Sequence, residues 1–160
     1  AGLCSLKLEE VCVPSEALLG EGDAFDHGQL VDLARIGWGA LSVGCCQAAL
    51  DYLIPYCNER VAFGEPISHR QAVAFMIADI ATEVEGMRLM VQHAASRAEQ
   101  GLSYRREAYL ARVLCAEQGM KVGTDAVQLL GGHGFTQEHP AELWYRHLRA
   151  VGIIEGAILV

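Results

Sequence analysis

Glu155 is the lone acid in the apolar octet formed by residues 153–160, inside the terminal stretch GIIEGAILV. A carboxylate kept dry by such neighbours becomes a better base, because burial disfavours its charged form. The same Glu-Gly pair also reads as a turn that ends a helix with the acid facing water. The local pattern favours that turn, since a buried unpaired glutamate is rare. A second candidate is NERVAFGEPISHRQ, in which Arg60 near a helix end could pin a phosphate and Phe63 could cover an aromatic ring. Arginines near helix C-termini are also ordinary. In LLGGHGFTQEHP, the glycines around His133 could let backbone N–H groups approach an anion, or could simply end a helix. This is not a dinucleotide fingerprint, because it follows a helix rather than a strand. His133, His139 and His147 are spaced too irregularly for a metal site and read as solvated or hydrogen-bonded. Asp32 and Arg35 in DLAR stand three apart on one helix face, the spacing of a surface ion pair of small energetic weight.

Helices must carry most of these residues. Residues 1–25 are the exception: Leu6 and Leu8 alternate with polar neighbours in SLKLEEVCVP, Val11 and Val13 follow, and Pro14, Gly20 and Gly22 supply turns. That is strand-like, but two short strands bury no face alone, so this segment reads as the tail of a sheet whose body lies elsewhere. After Gly28 the pattern is helical through Leu30, Leu33, Ile36, Leu41 and Val43 towards Leu50 and Leu53. Pro55 should kink or interrupt this run before Arg60, and Gly64 and Pro66 break it. Residues 69–100 carry Val73, Met76, Ile77, Ile80, Val84, Met87, Val91 and Ala94 in steps of three and four, closed by Gly101. A third helix over about residues 104–130 carries Leu110, Val113, Ala116, Met120, Val127 and Leu130, and Gly131, Gly132 and Gly134 stop it. A shorter helix follows over residues 140–149, with Pro140 suited to its first turn. The expected fold is all-α: an antiparallel up-and-down helical bundle over residues 26–160, with a short β-strand remnant in residues 1–25.

The 160 residues have room for one domain with a sizeable core. A 52% hydrophobic fraction against 20% charged is rich for a lone globule, which implies apolar surface turned towards a partner subunit or another domain. The formal net charge of −8 disfavours nucleic acid as a ligand. No basic-then-apolar leader and no run of about 18 apolar residues is present, so neither secretion nor membrane spanning is expected. The six cysteines match no metal-ligand or thioredoxin spacing; they read as reduced, mostly buried residues of a cytoplasmic protein. A catalytic thiol would need an electropositive setting.

Each signal is weak alone, but their order is specific. RVAFGEPISHRQA, then DAVQLLGGHGF, then ELWYRHLRAVGIIEG resembles the C-terminal helical domain of the acyl-CoA dehydrogenase family, and LEEVCVPSEALLGEGDAF is similar to the last strand of that family's middle β domain. The resemblance covers essentially the whole chain. It implies FAD as cofactor and α,β-dehydrogenation of an acyl-CoA thioester, with Glu155 as the base that takes the α proton. It implies that Arg60 meets the FAD pyrophosphate and that Phe63 is the aromatic beside it. Gln71, Gln128, Gly131 and Gly132 match cofactor contacts made across a subunit interface, and Asp32 and Arg35 match positions lining the acyl-CoA channel. The alternative base position of some relatives, on the first helix, is occupied here by Ala34.

Departures from the family pattern are Ala157 in place of the usual threonine at an FAD contact, Leu159 where a polar residue is common, and Leu143 and His147 near the end of the bundle. The resemblance further implies a homodimer or tetramer, and N-terminal helical and β domains that supply much of the site. It allows an electron-transfer flavoprotein as acceptor. Residues 1–160 alone are therefore expected to be inactive. The rival expectations are a non-catalytic oligomerisation subunit derived from the family, and an oxidase or monooxygenase on the same fold.

Overall fold

A computed structural model describes residues 4–20 and 25–154. Four helices dominate: α1 (His27–Glu59), α2 (Gln71–Glu99), α3 (Arg105–Leu130) and α4 (Ala141–Val151). Between α1 and α2 lies a two-stranded antiparallel hairpin, β1 (Val61–Ala62) and β2 (Glu65–Pro66), with Val61 opposite Pro66 and Ala62 opposite Glu65. Short 3₁₀ turns cover Ser15–Ala17, Ile67–His69 and Gly131–Phe135.

α1 starts at a side-chain cap, Asp26 accepting from the Gln29 backbone N–H at 3.0 Å. It then runs 33 residues without a break, straight through Pro55. The expected interruption does not occur. Proline leaves the carbonyl one turn earlier without a donor, but Asp51 and Pro55 are both exposed, so water can satisfy that group. The buried face of α1 uses Gly39, Ser42, Val43, Cys46, Ala49, Leu50, Leu53 and Cys57. Leu30, Leu33 and Leu41, which the sequence pattern placed on the helical stripe, are 51%, 48% and 63% exposed.

α2 follows its pattern closely: Ile80, Val84, Met87, Val91 and Ala94 are buried, and Val73, Met76 and Ile77 pack at the edge of the core. Gly101, at φ +68°, ends the helix in a backbone conformation that glycine adopts readily. α3 is the central element, packed against α1, α2 and α4. Its buried face only partly follows the stripe expected from the sequence: Ala116 and Leu130 are buried as expected. Leu110 is exposed and Val113, Met120 and Val127 are half-buried, whereas Ala108, Ala111, Cys115, Gly119, Val122 and Ala126 are buried. Small residues let three helices approach one. A Cβ on Gly119 would lie 2.8 Å from Ser42 Oγ, and one on Gly123 would lie 3.0 Å from Tyr145 Cα. Gly119→Val is therefore expected to destabilise the bundle by about 1–3 kcal/mol through overpacking. The check is a lower urea midpoint at unchanged slope.

The N-terminal segment departs from expectation. Residues 4–13 form no strand, and Leu6, Leu8, Val11 and Val13 are all more than 60% exposed. Alternation alone does not make a strand; its N–H and C=O groups need a neighbour, and among the described residues the only sheet is the β1–β2 hairpin. Cys46, Cys57 and Cys115 are buried, Cys45 is half-buried, and Cys4 and Cys12 are exposed. Burial pushes the Cys46 and Cys115 thiols up to about 12, so neither is a thiolate nucleophile near neutral pH. No helix among the described residues is long and apolar enough to cross a membrane.

Candidate functional site

Two clefts hold five of the residues singled out in the sequence: Arg60, Phe63, Gln128 and Gly131 in one, Asp32 in the other. The first, of about 380 Å³, lies where the end of α1, the hairpin, the start of α2 and the end of α3 meet. Arg60, Phe63, Gln128 and Gly131 line it, although nearly half the chain separates the first pair from the second. Tyr56, Ile67, Val73, Met76 and Leu130 give it a largely apolar floor, and Arg70 adds a second guanidinium. Gln71, the first residue of α2, and Gly132, the second of the Gly131–Phe135 turn, are exposed neighbours in sequence of lining residues and do not line the cleft.

Phe63 is held there by an unusual backbone. It and Gly64 are the two central residues of the hairpin turn, with φ of +57° and +89°. Positive φ at both centres matches the right-handed twist of a hairpin, but phenylalanine is a costly residue at the first position. The residue is 95% exposed, and the Arg70 guanidinium lies 5.5 Å from the ring centroid. Backbone strain that presents a bare aromatic is a feature of ligand sites rather than of cores. Arg70 also approaches Glu65 at 3.4 Å, while Arg60 has no carboxylate partner among the described residues.

Tyr56 braces the opposite wall. Its hydroxyl donates to the Leu130 carbonyl at 3.4 Å and lies 3.1 Å from His133 Nδ1. Burial pushes the Tyr56 phenol up, with the nearby Arg60 charge opposing, so the group stays a neutral donor. His133 stacks on His139 with ring centroids 5.1 Å apart, and Tyr52 reaches His139 Nδ1 at 2.6 Å. These two histidines are hydrogen-bonded, as expected from the sequence, and their cluster fixes the glycine turn after α3. His147 lies elsewhere, in an apolar cavity of about 310 Å³ with Trp38, Leu41 and Cys45.

The second cleft, about 460 Å³, is at the other end of α1, lined by Asp26, Gln29, Asp32, Ser103, Tyr104 and Arg105. Here the structure corrects the reading of Asp32 as one half of a surface pair. Asp32 is only 5% exposed and takes a 2.8 Å bond from Arg35 and a 3.4 Å contact from Arg105 of α3. A buried carboxylate held by two guanidiniums is a fixed charge, unlike a loose surface pair. The Tyr104 hydroxyl, buried at the same cleft, has no hydrogen-bond partner among the described residues. Buried orphan hydroxyls are costly and mark places where a ligand can supply the missing partner.

Glu155, Ala157 and Leu159 lie outside the described residues. The last described residue is Ile154, whose carbonyl accepts a hydrogen bond from Arg112, a buried residue of α3. Tyr56, Arg70, Tyr104, Arg105 and Arg112 were not singled out in the sequence. A cation within the small-residue face of α3 was a readable signal for Arg112; the others depend on partners distant in sequence.

Residues 26–159 match the family described as "Acyl-CoA dehydrogenase, C-terminal domain". The chain belongs to the acyl-CoA dehydrogenase family. It is 38% identical over 146 residues to an acyl-CoA dehydrogenase of Bacillus subtilis, covering 90% of this chain and 38% of that protein. It is 39% identical over 151 residues to the caffeyl-CoA reductase-Etf complex subunit CarC of Acetobacterium woodii, covering 93% of this chain and 40% of that protein. The solved butyryl-CoA dehydrogenase of Megasphaera elsdenii superposes with a TM-score of 0.84 at 34% identity, over 91% of this chain and 38% of that one. The chain thus spans about two-fifths of the length of these relatives. The four helices and the hairpin form a C-terminal acyl-CoA dehydrogenase domain, as the order of motifs implied.

Proposed function

We propose that this chain works as the C-terminal domain of an FAD-dependent acyl-CoA dehydrogenase, residues 1–25 closing a β domain and residues 26–160 forming the helical domain. The observation that carries the reading is the convergence of Arg60, Phe63, Gln128 and Gly131 on one cleft. Two guanidiniums, an exposed ring and an apolar floor suit a ligand that joins a pyrophosphate to an aromatic base. Arg60 would meet the phosphates, Phe63 would lie against the dinucleotide, and Gln128, Gly131 and Gly132 would line its ADP half with Gln71 at the rim.

The cleft around Asp32 fits the polar part of acyl-CoA. Arg35 and Arg105 supply positive charge, and Tyr104 offers its unpartnered hydroxyl. Arg60 caps the C-terminus of α1, 28 residues after Asp32, so about 40 Å of helix separates them. That is more than one dinucleotide spans, which supports a homo-oligomer in which the Arg60 cleft serves the flavin of a neighbouring copy. FAD held by the Arg60 cleft would supply a hydride acceptor for the β hydrogen. Glu155 takes the α proton, so the Cα–Cβ bond becomes double and the carboxylate becomes a carboxylic acid. The relationship to an Etf-complex subunit supports an electron-transferring flavoprotein as the acceptor.

The test is a complete enzyme carrying this domain, purified and examined by absorbance. Stoichiometric FAD that bleaches on adding an acyl-CoA without oxygen is the expected result. A flavin-free protein would instead identify an oligomerisation subunit. Rapid reoxidation by oxygen with turnover would identify an oxidase.

A further inference from the structure

We infer that Tyr52, Tyr56, His133 and His139 form a clasp that presets the glycine turn against Arg60, and that they act as positioning residues for the dinucleotide. This deepens the reading of the Arg60 cleft as a flavin site and rests on it. The turn after α3, Gly131–Phe135, is GGHGF, so three of its five residues are glycine. Glycine loses more backbone freedom on ordering than any other residue, so such a turn holds one shape only where its surroundings impose it. Part of the constraint is steric: a Cβ on the buried Gly134 would lie 2.4 Å from the Val127 carbonyl oxygen. Gly131 and Gly132 have no such contact, since a Cβ on either would meet nothing within 4 Å. Both are exposed, and of the two Gly131 lines the cleft.

What fixes them comes from α1. The Tyr56 carbonyl accepts the Arg60 N–H at 2.9 Å, while the Tyr56 hydroxyl donates to the Leu130 carbonyl and meets His133 Nδ1. One residue thus bonds the arginine on one side of the cleft and, on the other, the two residues that flank Gly131 and Gly132. The His133 carbonyl is held in turn by Thr136, whose N–H and hydroxyl donate to it at 3.2 and 3.0 Å. His139 lies on His133 with the two rings tilted by only 16°. Its Nδ1 is 2.6 Å from the hydroxyl of Tyr52, one helical turn before Tyr56. The Tyr52 and Tyr56 rings stack 6.4 Å apart, and Trp144 of α4 packs edge-on to Tyr52 at 5.7 Å. Apolar rings would meet the packing need alone. A hydrogen bond in each Tyr–His pair adds direction, and removing one partner leaves a half-buried polar group unmatched. Tyr52, His133 and His139 do not line the cleft, so their effect on a ligand there passes through Tyr56 and the turn. A turn set before the ligand arrives spares binding the cost of ordering those glycines.

The test compares Y52F, H139F, H139N and R60A in a complete enzyme carrying this domain. Y52F and H139F keep a ring in place, and each removes one side of the same hydrogen bond. Either is expected to weaken FAD binding by about three- to tenfold, the worth of one such bond. The double variant should fall within about twofold of the weaker single one, because both changes act on one link. H139N, whose amide can stand where Nδ1 stood, should bind FAD more tightly than H139F. In the flavin-free protein, amide hydrogen exchange over residues 131–136 should quicken about threefold or more in Y52F and H139F while α2 stays protected, a local opening rather than global unfolding. If Y52F does not fold, H139F and H139N decide by the same affinity and exchange readouts. Three results would overturn the inference: FAD affinity within about twofold of the parent in both single variants, unchanged exchange of the turn, or FAD loss in a uniformly loosened protein. R60A separates the two readings: it should weaken FAD binding and leave the exchange of residues 131–136 unchanged. Unchanged FAD binding in R60A would remove the flavin reading, and with it this role of the clasp, even where Y52F quickens the turn.

Discussion

Glu155→Gln in a complete enzyme carrying this domain is expected to slow flavin reduction by acyl-CoA by about 10²–10⁴-fold, the usual worth of a positioned general base. Glutamine keeps the size and polarity of the side chain and removes only its ability to take a proton. FAD content and acyl-CoA affinity should therefore change little. Stopped-flow absorbance under anaerobic conditions measures the rate, and equilibrium titration of the flavin spectrum measures binding. Ala34 occupies the alternative base position on α1, and alanine cannot accept a proton, so no second carboxylate is expected to rescue the variant. Flavin reduction at the parental rate would sink the assignment.

The second large effect belongs to Arg60. Arg60→Ala should weaken FAD binding by about ten- to a hundredfold, in line with the loss of hydrogen bonds to a charged group. Arg60→Lys should restore only part, because an ammonium cannot make the planar two-pronged contact of a guanidinium. Arg60 is exposed and outside the core cluster, so the thermal midpoint of the flavin-free protein should move by no more than a degree or two. Dialysis against a range of FAD concentrations reads the affinity. Unchanged retention of FAD in Arg60→Ala would place the phosphates elsewhere.

How legible these features were in the sequence depended on what kind of residue carried them. α2 was plain because its buried positions hold Ile80, Val84, Met87 and Val91, large side chains that announce a helical period. α3 was found but its buried face only in part: Ala116 and Leu130 are buried as expected, but most of the other packed positions are alanine, glycine and cysteine, and size-weighted periodicity points instead to Val113, Met120 and Val127 at the margins. Alternation in residues 4–13 looked like a strand because a sequence shows side chains and not the partner that must hydrogen-bond them. Asp32 looked superficial because Arg35 is local, whereas Arg105, the second cation on it, comes from a helix some seventy residues later. That Arg60, Phe63, Gln128 and Gly131 are site candidates was legible from the order of motifs, and they do share one cleft. Arg70, Tyr56 and the stacked histidines behind it depend on the fold, and no spacing rule reaches them.

The uninterrupted passage of α1 through Pro55 has a consequence for how this chain can change. Asp32 on α1 and Arg60 at its C-cap are 28 residues apart, so their mutual orientation is a matter of phase as well as distance. Inserting a single residue between them would advance one end by about 1.5 Å and turn it by about 100°, swinging the second cleft off the line set by the first. α1 is thus a ruler with a fixed number of divisions. Length changes within α1 should therefore be tolerated less well than substitutions at its exposed positions such as Leu30, Leu33 and Leu41.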